Sequence, residues 1–222
     1  MNRLQQYFDF TVVWQHRGLI LEGLLTTVQL TVLIFVISIL PAIAVALARR
    51  FGPGWLQRLL GAVVNVARSV PTVLSVVFVY LALPFVGVTL SAFASVLLAL
   101  SVMQVVYFSE VIRGALAAVA PGQYDAARAL GLSPIVMLVK VILPQAAIVA
   151  APPFVSAVVL MLQHTSISSA IALNDLITSA LSIQNMTGQA SPIVAAGVCY
   201  VLLALPLVRL TRRWERARAH AR

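Results

Sequence analysis

Long apolar runs, broken by short polar or proline-glycine punctuation, succeed one another along the chain. The first covers about Gly23 to Ala48, longer than the roughly 20 residues a bilayer core requires. A helix beginning near Trp55 carries Arg58 and Arg68 and becomes fully apolar only after Pro71, ending near Pro84. A third run spans about Ser91 to Arg113. A fourth starts near Ala146, is interrupted at Pro152-Pro153 and reaches about Leu162, and the last lies between about Ile193 and Val208. The pattern predicts an all-α polytopic membrane protein, a single transmembrane domain over residues 1–222 with about five transmembrane helices. Pro41 predicts a kink in the first span, its freed carbonyl satisfied by Ser38 or by neighbouring helices. Residues 1–22 read as an amphipathic lead-in on the outer side. Ala42-Ile43-Ala44 resembles a signal cleavage site, but the run around it is too long and ends in Arg49-Arg50, so the first span is expected to stay in place.

Composition strengthens this reading. Hydrophobic residues make up 61% of the chain, charged ones only 9%, and the mean hydropathy is +1.02, far outside the range of soluble domains. The net charge of +9 does not point to nucleic acid, because no aromatic-basic surface pattern accompanies it. The positive residues sit at the ends of apolar runs, where they encode topology. Arg49, Arg50, Arg58, Arg113, Arg128, Lys140 and the six arginines of the tail, residues 209–222, fall on one side. The connections near residues 84–91 and 163–192 have no Lys or Arg. The N-terminus is therefore expected outside and the C-terminus in the cytoplasm, in contact with lipid head groups.

The chemistry of a hydrolase or redox enzyme is missing. Cys199 is the single cysteine, so neither an internal disulfide nor a thiolate metal site is available. His16, His164 and His220 are far apart, and no His-Glu-x-x-His or Gly-x-Ser-x-Gly occurs. No glycine-rich loop ends in Lys-Ser or Lys-Thr, so P-loop binding of ATP is excluded and any energy source must be a partner.

The charged connection from Glu110 to Gln145 is the most structured of the polar stretches. Pro121-Gly122 is a breaker signal, and Gln123 to Leu130 has the composition of a short helix. Gly131 stands where that helix must stop, since glycine enters the left-handed cap conformation without steric cost. Ser133-Pro134 reads as an N-cap and first-turn proline, starting a second short helix that runs toward Pro144.

The segment Gly122-Gln123-Tyr124-Asp125-Ala126-Ala127-Arg128-Ala129-Leu130-Gly131, followed by Ile142-Leu143-Pro144-Gln145, resembles the EAA loop of ABC-importer permeases, in the version of the polar amino acid importers. Asp125 stands where the family has glutamate. Other stretches resemble the same family in the same order: residues 21–31 its opening span, Arg68-Ser69-Val70-Pro71 its Arg-Gly-Thr-Pro signature, Ser109 to Gly114 the end of its third span. Gln163-His164-Thr165-Ser166-Ile167 is similar to its Lys-Asp-Thr-Ser-Leu motif. The resemblance implies a permease subunit in the bacterial inner membrane that pairs with an identical or homologous permease. It also implies two cytoplasmic ATPase subunits that hold ATP and Mg, an extracytoplasmic solute-binding protein, and an amino acid substrate. No cofactor is expected on this chain.

Three groups of residues follow as candidates. Gly122, Tyr124, Asp125, Ala126, Ala127, Arg128, Gly131 and Pro144 belong to a cytoplasmic coupling loop, residues 109–145, whose first helix docks on the ATPase in the resembling family. Glu110 lies one helical turn from Arg113 and must face protein and be paired, with Arg113 or Arg68, as a structural ion pair or a gate. Gln163, His164, Thr165 and Ser166 read either as capping residues of a helix end or as the wall of the substrate pathway, in irregular backbone held at membrane depth. Two other readings share the composition: a permease of the same superfamily for another small solute such as methionine or an opine, and a membrane scaffold or insertase subunit.

Overall fold

A computed structural model describes residues 7–219, with side chains as far as residue 209. Residues 1–6 of the lead-in, His220 and the side chains of the basic tail beyond residue 209 lie outside the described residues. After a short helix α1 (Thr11–Gln15), α2 (Arg17–Phe51) is followed by α3 (Gly54–Ser69) and α4 (Thr72–Ala82). A 3-10 turn (Leu83–Val86) leads to α5 (Ala92–Ala117). Beyond it come α6 (Pro121–Ala129), α7 (Pro134–Val136), a π-helical stretch (Met137–Ile142) and α8 (Leu143–His164). A 3-10 segment (Thr165–Ile171) then precedes α9 (Leu176–Thr187) and α10 (Ser191–Ala219). Four of these elements are long and apolar enough to cross a membrane, and the α3–α4 pair makes a fifth if it is counted as one span.

The long spans are apolar on every side, so the choice of buried face follows the rule for lipid. Small and hydroxylated residues go inside, where they let backbones approach, and large aliphatic ones face the acyl chains. Helix α2 buries the stripe Gly23, Thr27, Leu30, Ile34, Ser38, Ala42 and Ala46, spaced three or four apart, while Leu25, Val32, Val36 and Leu40 point outward. That stripe packs on α5, which buries Ser95, Ala99, Ser101, Gln104 and Ser109. Helix α5 in turn packs on α4 and α8, and α9 closes against α2 and α10. At the centre Phe108 stacks on Phe154 of α8 at 4.6 Å, and Phe35 meets both rings edge-on.

Five expectations need correction. The second span is not one helix: α3 and the Thr72–Val86 stretch are bent by 94° at Val70-Pro71. Pro71 lacks an amide proton and its ring forces the residue before it out of the helical region, which gives Val70 an extended ψ of 127°. Pro152-Pro153 does not interrupt α8. The two amides it removes cost only two rungs, Ser156 donates to the Pro152 carbonyl at 3.2 Å, and the neighbouring Phe154 is anchored in the core. Ser38 does not serve the carbonyl that Pro41 frees, that of Ile37, because its hydroxyl donates to Phe35 instead. The helix beginning at Pro134 is not short. It passes through the π stretch into α8 as one 38-residue element ending at Ile171. The widened turns directly precede Pro144, whose ring deprives the Lys140 carbonyl of its usual donor.

Residues 163–192, expected to be irregular, are mostly helical. The breaks are two short ones: at residues 172–174 Ala172 takes a left-handed φ of 55° and Asp175 caps α9 by accepting from the Thr178 amide at 2.8 Å, and at residues 188–190 Gly188, with φ 71°, ends α9 before α10 begins.

Candidate functional site

Helix α6 forms as its residues dictate. Pro121 occupies the first turn, where no amide is needed, and Gly131 ends the helix with φ +69°. The amide of Leu132 donates to the Ala127 carbonyl at 3.1 Å and that of Gly131 to Arg128 at 2.9 Å, the paired bonds of a Schellman cap. Ser133 then caps the next helix through the Val136 amide. Only two α6 side chains, Tyr124 and Ala127, are buried. The Tyr124 hydroxyl donates to the Leu116 carbonyl at 2.9 Å, and the Arg50 guanidinium lies over its ring at 5.4 Å. Gly122, Asp125, Ala126, Arg128 and Ala129 are exposed. Asp125 and Arg128 pair at 3.5 Å on that open face, in contact with solvent on both sides. Pro144 is also exposed, and its neighbour Gln145 donates to both Gln123 (3.1 Å) and the Val141 carbonyl (2.9 Å), tying α6 to the root of α8.

Thus α6 is fastened to the ends of three spans: to α2 through Arg50, to α5 through Leu116 and to α8 through Gln145. The sequence reading placed α6 and its stop correctly and missed Arg50 and Gln123. Arg50 had been read only as a topology charge. A basic residue ending an apolar span carries no mark of an aromatic partner 74 residues away.

The second group is drawn together around one carboxylate. Glu110 is bound by Arg49, by Arg113 Nη2 at 3.1 Å and by Arg68 at 3.8 Å. The sequence supplied Arg113, one turn away, and Arg68. It missed Arg49, which is the most enclosed of the three, its side chain 11% exposed against 49% for Arg68. The cluster joins α2, α3 and α5 at the same end of the bundle as α6 and carries two positive charges in excess.

The third group sits at the far end of α8. Its 22 residues, at about 1.5 Å each, make a rod of about 33 Å between Leu143 and His164. Gln163 is exposed, His164 and Ser166 are half-buried, and Thr165 is fully buried. The three hydroxyls of Thr165, Ser166 and Ser169 each donate to the carbonyl three residues back, at 2.7, 2.7 and 2.8 Å. They therefore close the tight 3-10 turn rather than capping a helix N-terminus. The His164 ring lies 6.1 Å from that of Tyr107 on α5, a neighbour that sequence reasoning did not single out. Among the described residues no three His, Cys, Asp or Glu side chains gather into a metal-binding group.

Residues 39–220 match the family described as the binding-protein-dependent transport system inner membrane component. The probable glutamine ABC transporter permease protein GlnP of Bacillus subtilis (strain 168) is 30% identical over 205 residues, 90% of this chain and 94% of that protein. The glutamate/aspartate import permease protein GltK of Escherichia coli O157:H7 is 31% identical over 89% of this chain and 92% of its own. A crystal structure of an amino acid ABC transporter with histidines superposes with a TM-score of 0.86 at 28% identity, covering 94% of this chain and 98% of the other. The MetNI methionine ABC transporter shares the fold, with a TM-score of 0.73 at 20% identity over 90% of this chain and 96% of that one. With the capped α6 helix and the order of its spans, this chain belongs to the family of binding-protein-dependent transport system inner membrane components, among the amino acid ABC permeases.

Proposed function

We propose that the chain is the permease subunit of an ATP-driven importer for polar amino acids, working as a dimer with an identical or homologous permease. Two cytoplasmic ATPases hold ATP and Mg, and an extracytoplasmic binding protein delivers the solute. The N-terminus lies outside and the C-terminus in the cytoplasm. The observation that carries this reading is the construction of α6, a short helix pinned on one side by Tyr124 and Ala127 and open on the other. An exposed helix of small residues, with Gly122, Ala126 and Ala129 outward, admits a partner surface close to its backbone. Docking there explains why a loop at the end of the spans is so thoroughly fastened to them.

The mechanism follows from those fastenings. Closure of the ATPases around ATP draws the two α6 helices together. The pull passes through Leu116, Arg50 and Gln145 to α5, α2 and α8. Because α8 is continuous, its far end moves as well, and with it His164 and the 3-10 segment that we assign to the pathway wall with Gln163, Thr165 and Ser166. Hydrolysis resets the arrangement. The Glu110 cluster holds α2, α3 and α5 in register while α6 moves. An imidazole offers an N–H donor in either protonation state, which suits an amino acid carboxylate. The relatives' names, for glutamine and for glutamate and aspartate, support a polar amino acid as the solute.

A cysteine at Ala126 tests the docking. In a Cys199→Ala background and in the assembled complex, it is expected to cross-link to the ATPase subunit, while one at Val36, on the outward face of α2, is not. Equal cross-linking at both positions, or none at Ala126 in a complex that co-purifies, would remove α6 from the coupling role.

A further inference from the structure

Helix α3 divides its surface into three sides. Leu56, Leu60, Val64 and Ala67, spaced four, four and three apart, turn inward on a helix that packs against α2 and α5, Val64 fully buried and the others in part. The same spacing one residue earlier gives Trp55, Leu59, Val63 and Val66, each more than half exposed. Gln57, Arg58, Asn65 and Arg68 make the third side and are exposed as well. The helix contains no acidic residue.

This helix lies across the spans. Helix α4 packs along α5, and the bend at Val70-Pro71 turns α3 by 94° from the Thr72–Val86 stretch. The middle of α3 and its C-terminal end both come to the Glu110 cluster: a Cβ on Gly61 would stand 3.9 Å from Arg49 Nη2, and Arg68 Nη1 lies 3.8 Å from Glu110 Oε2. From Ala92 to Glu110, α5 rises about 27 Å at about 1.5 Å per residue, close to the roughly 30 Å of a hydrocarbon core. The cluster, and α3 with it, therefore stands at the membrane edge on the α6 side. Glu110 is already held by Arg49 and Arg113, so Arg68, its side chain half exposed, keeps N–H donors for a second anion. Arg58 pairs with no carboxylate among the described residues.

We propose that α3 lies in the plane of the leaflet on the α6 side and binds anionic phospholipids there. Trp55, Leu59, Val63 and Val66 enter the acyl chains, and Arg58 and Arg68 take the phosphates. An apolar side carrying tryptophan beside a basic polar edge is the build of an interfacial helix, and each arginine near an anionic surface adds to the attraction. A second copy of the chain suits this face less well, because an isologous contact between two α3 helices would set the basic edge against itself.

The test is tryptophan quenching in the full-length chain, reconstituted in phosphatidylcholine vesicles with Trp14→Phe and Trp214→Phe, so that Trp55 reports alone. Phosphatidylglycerol or phosphatidylcholine brominated on the acyl chains is added at equal mole fraction. Both are expected to quench, bromines near the head group more than deep ones, and the brominated phosphatidylglycerol at least about twofold more effectively at low salt. Moving the reporter with Trp55→Phe and Val66→Trp should give the same shallow depth, whereas a helix entering the core steeply would carry position 66 about 16 Å deeper. Arg58→Gln is expected to reduce the preference for phosphatidylglycerol, and Arg58→Gln with Arg68→Gln to abolish it. Absence of quenching at both positions would mean that protein, such as a second copy, covers the face, and overturns the proposal. So does a deep position 66, equal quenching by the two lipids in the parent chain, or a preference that survives the double variant.

Discussion

Gly131 carries the sharpest demand on side-chain identity in the coupling loop. Its φ of +69° is open to glycine and costs a β-branched residue about 1–2 kcal/mol or more, while nothing lies within 4 Å of where a Cβ would stand. The cost of Gly131→Val is therefore conformational, not steric. It falls on the two Schellman bonds that set the angle between α6 and the helix from Pro134. We expect the variant to insert and assemble normally and to lose most solute uptake. Full uptake at normal membrane levels would show that the bend does not set the coupling geometry. At the other end of α8, His164 replaces the acidic residue usual in the resembling family, which should turn the local preference away from cationic side chains. His164→Asp is expected to lower uptake of the natural substrate and to raise the relative response to arginine or lysine, with the assembled complex unchanged. Unaltered uptake and preference would return His164 to a purely structural place beside Tyr107. What the sequence could reveal about single residues was local. Glycine at a stop, a serine before proline and the turn from Glu110 to Arg113 are each written within four positions. The guanidinium of Arg49 on Glu110 and that of Arg50 on Tyr124 depend on the approach of α2 to α5 and α6, which no local pattern encodes.

Helices were legible where hydropathy alone decides them and less so where proline intervenes. Proline signals a missing donor, but the consequence depends on what surrounds it. At Pro71 the chain turns by 94°, while at Pro152-Pro153 the helix continues because Phe154 and Ser156 hold it. The same residue type thus ends one element and passes unnoticed in another. The polar stretch 163–192 misled for a related reason: its hydroxyls at Thr165, Ser166 and Ser169 bond their own backbone in a 3-10 turn, and Asp175 caps the helix that follows. The seam between α2 and α9 offers a direct test of this packing. Gly23 lets the two backbones meet, and an added methyl would press on the Asp175 carbonyl, which has no rotamer with which to retreat. Gly23→Ala is expected to destabilise the protein by about 1–3 kcal/mol, visible as a lowered unfolding midpoint. Gly18→Ala, with open space around it on the same helix, should change little. Equal midpoints for the two variants would mean that the seam relaxes freely.

At the level of the whole molecule, composition and the spacing of apolar runs were enough to place the protein in a membrane with about five spans. The distribution of Lys and Arg adds an orientation that can be measured. In a Cys199→Ala background, a cysteine at Val88, exposed in the connection before α5, is expected to react with an impermeant thiol reagent from outside, and one at Gln57 on α3 is not. The reverse pattern would invert the assignment of α6 to the cytoplasm. Partners and solute were legible only through motif resemblance, because an interface made with another chain leaves its mark as an exposed face such as that of α6, and the face does not name what covers it. The central claim is that solute on one side of the membrane and ATP on the other are linked through this chain. The most direct measurement is the ATPase activity of the complex reconstituted in liposomes with its ATPase and binding-protein partners, read across a panel of amino acids. One or more polar amino acids are expected to stimulate hydrolysis, and the stimulation should disappear in Gly131→Val while the unstimulated rate persists. Hydrolysis indifferent to every amino acid in the panel, or stimulation that survives intact in Gly131→Val, would contradict it.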